Sequence, residues 1–142
     1  MLKGIPAILS PELFKMMMDM GHGDELVLGD GNFPSFTCAR RLIRCDGHNI
    51  TEILNAILLF LPLDYSVEHP ITLMKVTQGC ETPIIWEKYK DIVGKYDVRA
   101  TNFEYISRFD FYERSSNACC VVATGERTRF ANIILKKGVV VD

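Results

Sequence analysis

The chain lacks the features that mark several common protein classes. Among its 142 residues, Lys and Arg number 16 and Asp and Glu 18, a formal net charge of −2. No excess of one sign is present, so the sequence offers no electrostatic grip on nucleic acid or anionic lipid. No apolar run approaches the ~20 residues of a membrane-spanning helix. The cysteines, Cys38, Cys45, Cys80, Cys119 and Cys120, form no Cys-x-x-Cys pair, which argues against a zinc knuckle. GxGxxG, the P-loop, GxSxG and HExxH are all missing. Gly29-Asp30-Gly31 is too short for a dinucleotide fingerprint. No secretory leader is expected, because Met1 to Ser10 is short and is followed by Pro11. A reducing cytoplasm is the expected location.

The composition is that of a packed globular protein, 48% hydrophobic and 24% charged. This length fits one domain, residues 1–142, large enough to bury a core without staples. Ser10-Pro11-Glu12 reads as a capped helix start, with Leu13, Phe14, Met17 and Met18 on one face and an end at Gly21. The Met-rich stripe reads as core. Leu26-Val27-Leu28 reads as a short strand, followed by a loop over Gly29, Gly31, Asn32 and Pro34. A second helix is expected over Ile50 to Leu61, stopped by Pro62, then a strand over Ile71 to Val76. Thr82-Pro83 repeats the cap-plus-proline start, and Ile85, Tyr89, Ile92, Val93 and Tyr96 supply that helix's apolar face. Trp86 reads as a packing anchor. Glu104 to Ser107 is a weak strand, Phe109 to Ser115 a short helix, and Cys119 to Thr124 and Ile133 to Leu135 are buried strands. Cys119 and Cys120 read as small buried hydrophobes. Strands that alternate with helices predict the α/β class, a layered fold with a largely parallel or mixed central sheet flanked by helices.

The most informative stretch runs from Gly21 to Asp30. His22 sits between two glycines, which clear side-chain cover from around it. Histidine gives or takes a proton near neutral pH. Asp30 falls just past a strand's carboxyl end, where open α/β sheets bind ligands, and a carboxylate accepts hydrogen bonds from hydroxyls. The pairing suits acid–base chemistry on a small polyol, with Asp30 orienting His22 or binding a hydroxyl. A glycine-flanked histidine equally fits a plain turn. His48 reads as a solvated turn residue, and His69 as either a satisfied or a site residue. Thr124 to Asn132 is a polar loop between two apolar strands. Asn132 carries a donor and an acceptor for a sugar hydroxyl, or simply closes a turn.

A series of ordered motifs resembles the L-fucose mutarotases, a family that includes the ribose pyranases. They are Met1-Leu2-Lys3-Gly4-Ile5-Pro6, Leu9-Ser10-Pro11-Glu12-Leu13, Met20-Gly21-His22-Gly23-Asp24-Glu25, Asp30 and Asn32-Phe33-Pro34. Next come Arg44-Cys45-Asp46-Gly47, Leu61-Pro62-Leu63-Asp64 and Arg108-Phe109-Asp110-Phe111-Tyr112-Glu113-Arg114. Val121-Val122-Ala123-Thr124-Gly125-Glu126 and Asn132-Ile133-Ile134-Leu135-Lys136-Lys137-Gly138 complete them. The likeness runs nearly end to end and weakens from about Gln78 to Thr101.

The resemblance implies an α/β protein that interconverts the anomers of L-fucose, with no metal and no redox cofactor. It implies a ring-shaped homo-oligomer, commonly a decamer of two stacked pentamers, with sites at subunit contacts. Position by position, it makes His22 the proton donor and Asp30, Asp64, Tyr112 and Asn132 substrate-binding residues. Arg108 stands near the pocket where ribose pyranases have histidine, which favours the fucose branch. Phe130 stands where many fucose mutarotases have Tyr, one hydroxyl fewer. The expected ligand is a monosaccharide, with neither nucleic acid nor membrane as partner. Two other readings remain: a ribose pyranase-like isomerase, and a monosaccharide-binding module without catalysis.

Overall fold

The computed structural model describes residues 1–141. Among them, one six-stranded sheet comprises β1 (Glu25–Gly29), β2 (Leu42–Cys45), β3 (Ile71–Met74), β4 (Glu104–Ile106), β5 (Cys120–Thr124) and β6 (Ile133–Lys136). The helices are α1 (Pro11–Asp19), α2 (Ser35–Cys38), α3 (Ile50–Leu58), α4 (Ile85–Gly94) and α5 (Arg108–Asn117). The strand order is β2-β5-β1-β6-β3-β4. Every pairing is parallel except those of β6, which runs antiparallel to both β1 and β3. The α/β class with a mixed sheet is thus the fold this chain adopts.

Alternation along the strands sends side chains to two cores. Leu26 and Leu28 of β1 join Cys120 and Val122 of β5 and the buried faces of α1, α3 and α4. Val27, between them, joins Val121, Ile134, Met74 and Phe111 of α5 in a smaller cluster on the other face. Each fully buried Leu or Ile contributes about 1.5–3 kcal/mol.

The helix ends follow local chemistry. Ser10 accepts the Leu13 N–H at 3.2 Å and caps α1, with Pro11 at its first position. The helix ends at Asp19, before the expected Gly21, because Met20 is already extended. Asn49 and Glu52 form a reciprocal capping box on α3. That helix ends at Leu58 rather than Leu61: Leu59 stays in helical geometry, and the Phe60 and Leu61 N–H groups both donate to the Ile57 carbonyl, at 3.0 and 2.9 Å, in a closing turn before Pro62. Thr82 does not cap α4. The Pro83 carbonyl instead takes the Trp86 N–H at 3.1 Å in an opening turn, so the helix starts at Ile85 with no side-chain cap. α5 runs longer than expected, from a Ser107 cap to Asn117. β3 stops at Met74, two residues short of the expected Val76. The Met stripe divides: Met17 and Met20 are buried and Met18 is exposed.

Three elements were not anticipated: α2, the edge strand β2, which pairs only with β5, and a 3-10 turn over Val98–Thr101. All three are only four residues long. The architecture puts the ends of β1, β3 and β4 and the start of β6 at one edge of the sheet. The starts of β1 and β3 and the end of β6 lie at the opposite edge.

Candidate active site

Five of the seven expected site residues converge at the carboxyl edge of the parallel strands. Asp30, Arg108, Tyr112, Phe130 and Asn132 line one pocket of about 310 Å³. Asn32, Phe33, Met74, Thr77 and Arg129 complete its walls. Asp30 follows β1 and Asn132 precedes β6, so the β1–β6 pairing brings them together across the sequence. The Asp30 N–H donates to Asn132 Oδ1 at 2.8 Å. The Asp30 carboxylate accepts the Asn32 N–H at 2.9 Å. Burial pushes the Asp30 carboxyl above its usual range, and hydrogen bonds from the Asn32, Phe33 and Ala131 backbone and the Asn132 side chain oppose that rise without cancelling it.

Arg108 and Tyr112 lie one turn apart on α5 and therefore share a face. The Arg108 guanidinium sits 4.8 Å from the Phe109 ring centroid. Tyr112 meets Phe33 edge-to-face at 5.6 Å, which fixes the ring plane at the pocket wall. Phe130 is half-buried and has φ 58°, in the left-handed region. That conformation costs a non-glycine residue on the order of 1–3 kcal/mol and persists where the surroundings enforce it. A wider cleft of about 1010 Å³ adjoins the pocket and shares Arg129 and Phe130 with it.

His22 and Asp64 are not among the residues lining this pocket. They meet each other at the opposite edge of the sheet. His22 occupies the tip of a tight turn: the Asp24 N–H donates to the Gly21 carbonyl at 3.3 Å, and the Gly21 N–H donates to Asp24 Oδ2 at 2.7 Å. Gly23 has φ 84°, which explains a glycine there. The turn leaves the His22 side chain 51% exposed, with Nε2 3.2 Å from Oδ1 of Asp64, itself 5% exposed. Asp64 Oδ1 also accepts the Ser66 hydroxyl at 2.6 Å and the Ser66 N–H at 3.0 Å. The Ser66 hydroxyl lies 3.5 Å from His22 Nε2. Burial works to raise the Asp64 carboxyl, but the Ser66 hydroxyl, its N–H and His22 outweigh it and hold the group below its usual range. Gly138 makes the arrangement possible, because a Cβ there would meet the Leu63 carbonyl oxygen.

The expected pairing of Asp30 with His22 is corrected by this geometry. Five residues of β1 separate them, about 16 Å of extended chain. The carboxylate in contact with His22 is Asp64, at 3.2 Å. Sequence reasoning also missed Ser66, whose Asp-x-Ser spacing is the available signal, since such side chains cap their neighbours' backbone locally. It missed Arg129, Met74 and Thr77, which carry no motif. His48 lies 3.8 Å from Glu52 at the surface. His69 Nδ1 meets the Asn102 carbonyl at 2.9 Å, and His69 is not among the residues lining the pocket. Cys120 is buried as expected, and Cys119 only partly so. Among the described residues, no cluster of three or more His, Cys, Asp or Glu stands at metal-binding spacing.

A sheet that gathers a carboxylate, an amide, a phenol and a guanidinium at one edge, and a histidine–carboxylate pair at the other, defines a class of protein. The chain belongs to the RbsD / FucU transport protein family, whose model matches residues 3–140. It is similar to the fucose mutarotase of Mus musculus, with 46% identity over 145 residues, 96% of this chain and 94% of that protein. The crystal structure of the fucose mutarotase from Streptococcus pneumoniae in complex with L-fucose matches with a TM-score of 0.94 at 51% identity, over 99% of this chain and 100% of that one. FucU from Bifidobacterium longum matches with a TM-score of 0.95 at 46% identity, over 98% and 100% of the two chains.

Proposed function

We infer that this chain is an isomerase, an L-fucose mutarotase that interconverts the α and β anomers of the sugar. The observation that carries the reading to these residues is the pocket itself. At about 310 Å³ it lies at the small end of ligand sites, which suits one monosaccharide and not a dinucleotide. Its walls combine hydrogen-bonding groups for hydroxyls with apolar surface from Phe33, Met74 and Phe130. The latter suits a sugar whose C6 carries no oxygen.

Mutarotation removes the proton of the anomeric hydroxyl and adds one to the ring oxygen. The C1–O5 bond breaks, C1 becomes an aldehyde, the C1–C2 bond rotates, and the ring closes on the other face. Closure returns both protons, so atoms and charge balance. His22 is the proton donor and acceptor in this proposal. Asp64 orients its imidazole and balances the imidazolium. Asp30, Tyr112 and Asn132 bind hydroxyls, and Arg108 sets the electrostatics of the wall. Positioned acid–base groups supply about 10²–10⁴-fold.

His22 cannot reach the pocket of its own chain across the length of β1, so a neighbouring copy supplies it. This supports a homo-oligomer with sites at subunit contacts, which we propose to be a ring, the decamer of the family. Exposed Leu2, Met18, Phe36, Ile84 and Val140 are apolar surface available for such contacts. Among the described residues no helix is long and apolar enough to cross a membrane. A cytoplasmic location is proposed on the five free cysteines.

The test is saturation-transfer NMR on L-fucose, irradiating one anomeric proton and observing the other. Transfer that needs the protein and disappears in His22→Ala, with the oligomer intact, supports the assignment. Exchange that survives His22→Ala refutes the mechanism. Binding without exchange in the unmodified protein indicates a binding module.

A further inference from the structure

Phe130 and Asn132 reach the pocket from a stretch of backbone outside any helix or strand, residues 125–132. Two side chains of α4 hold that stretch. The Trp86 indole N–H donates to the Phe130 carbonyl at 2.8 Å, and the Tyr89 hydroxyl donates to the Ala131 carbonyl at 2.6 Å. The next residue, Asn132, takes the Asp30 N–H through its side chain. Three consecutive residues are therefore tied, two to α4 and one to the end of β1. The first of them is the only non-glycine residue at positive φ among those described.

Packing alone does not explain Trp86 and Tyr89. The Trp86 ring rests on Tyr105 at 5.1 Å, which accounts for its burial. It does not account for two polar atoms, three residues apart on one helix face, aimed at successive carbonyls of one loop. Tyr89 is fully buried. Burial pushes its phenol far above the usual range, and the nearby Glu126 and Asp30 carboxylates add to the shift, so it remains a donor. Neither residue lines the sugar pocket.

We propose that Trp86 and Tyr89 are positioning residues for the sugar site, whose paired hydrogen bonds hold Phe130 in its left-handed conformation and so aim the Phe130 ring and the Asn132 amide at the bound monosaccharide. The proposal rests on the mutarotase reading above. It separates a clamp for sugar binding from the proton-transfer group, which lies at the other edge of the sheet.

Trp86→Phe and Tyr89→Phe remove the donors and keep aromatic rings in place. With L-fucose exchange as readout, the double variant raises KM about tenfold and each single variant about threefold, the loss of neutral hydrogen bonds. The rate at saturating L-fucose stays unchanged, because His22 is untouched. In an Asn132→Ala background the KM shift of Tyr89→Phe falls to less than about twofold, since coupled residues are not additive. A KM unchanged in folded, oligomeric variants overturns the clamp, as does a full shift that persists in Asn132→Ala. Should the double variant not fold, the single variants decide by the same criteria. Absence of exchange in the unmodified protein overturns the mutarotase reading and the clamp with it, whereas normal exchange there with unchanged variants overturns the clamp alone.

Discussion

Asp30 and Asp64 are both buried carboxylates beside the same sheet, and their surroundings push them in opposite directions. Asp30, at the carboxyl edge, is held above its usual range by burial. Asp64, at the opposite edge, is held below it, because Ser66 and His22 outweigh burial. Two acids driven apart by environment mark two roles. The neighbours of Asp30 are neutral amide donors, which suits a residue that meets hydroxyls. The neighbours of Asp64 include an imidazole, which suits a residue that stabilises a cation. In the proposed mechanism one edge binds and the other transfers protons, and β1 keeps them about 16 Å apart within a chain.

The strongest way to break this comparison is to disable each edge in a different chain. His22→Ala removes the transferring edge and Asn132→Ala weakens the binding edge. Each variant alone is expected to lose most anomer exchange, His22→Ala by about 10²–10⁴-fold. If two copies share a site, refolding the variants together as mixed oligomers restores about a quarter of the sites. Saturation transfer on the mixture reads the recovery. A mixture no more active than the separate variants places both edges' work within one chain, which the geometry forbids.

Asp64→Asn and Asp30→Asn sharpen the difference in role. Asp64→Asn leaves His22 with a neutral partner and is expected to lower the maximal rate about tenfold, at the low end for a charge-assisted contact because His22 is half-exposed. L-Fucose KM is expected to stay nearly constant. Asp30→Asn is expected to act on KM instead. The same pattern of change from both substitutions would erase the distinction.

Much of the binding edge was legible because it rests on periodicity. The apolar run Leu26-Val27-Leu28 places Asp30 at a strand's end, and Ile133-Ile134-Leu135 places Asn132 at the start of another. Strand pairing then brings them together. The proton-transfer edge was legible only in part. His22 stands out between its glycines, but its partner lies 42 residues onward, and nothing local distinguishes Asp64 from Asp30. Which strand ends meet is a property of sheet order, and the antiparallel insertion of β6 between β1 and β3 has no signature in residue spacing. α2 and β2 escaped because four residues carry too little pattern. Trp86 and Tyr89 read as packing because apolar spacing predicts burial and says nothing of where an N–H or O–H points.

Ser66→Ala sharpens the comparison at one atom. The lost hydroxyl lets the Asp64 carboxyl climb toward its ordinary value, so the acid limb of the exchange profile moves to higher pH. The sign for stability follows the same logic. A carboxyl lowered in the folded state contributes stability above its unfolded pKa of about 3.9, and that contribution disappears as pH falls through the folded value. The variant is therefore less stable than the parent near pH 7, and the difference narrows in acid. Denaturation at pH 7 and near pH 3 reads the narrowing. A difference that is constant with pH would show that Ser66 serves packing rather than the carboxylate.

Phe130→Tyr tests the binding edge with the smallest expected effect. The ring is already placed by a backbone in the left-handed region, and the wider cleft adjoins it, so a hydroxyl is accommodated without repacking the core. One added neutral hydrogen bond is worth roughly 0.5–1.5 kcal/mol, so L-fucose KM is expected to fall by about twofold to tenfold. The maximal rate is expected to hold, because the proton-transfer pair is on the other edge. Comparing L-fucose with a 6-hydroxylated analogue separates two origins. If Phe130 supplies apolar contact to C6, the variant gains more for the analogue than for L-fucose. If the ring meets another part of the sugar, both improve alike. A change in the maximal rate with KM untouched would instead move Phe130 from binding to proton transfer and dissolve the division between the two edges.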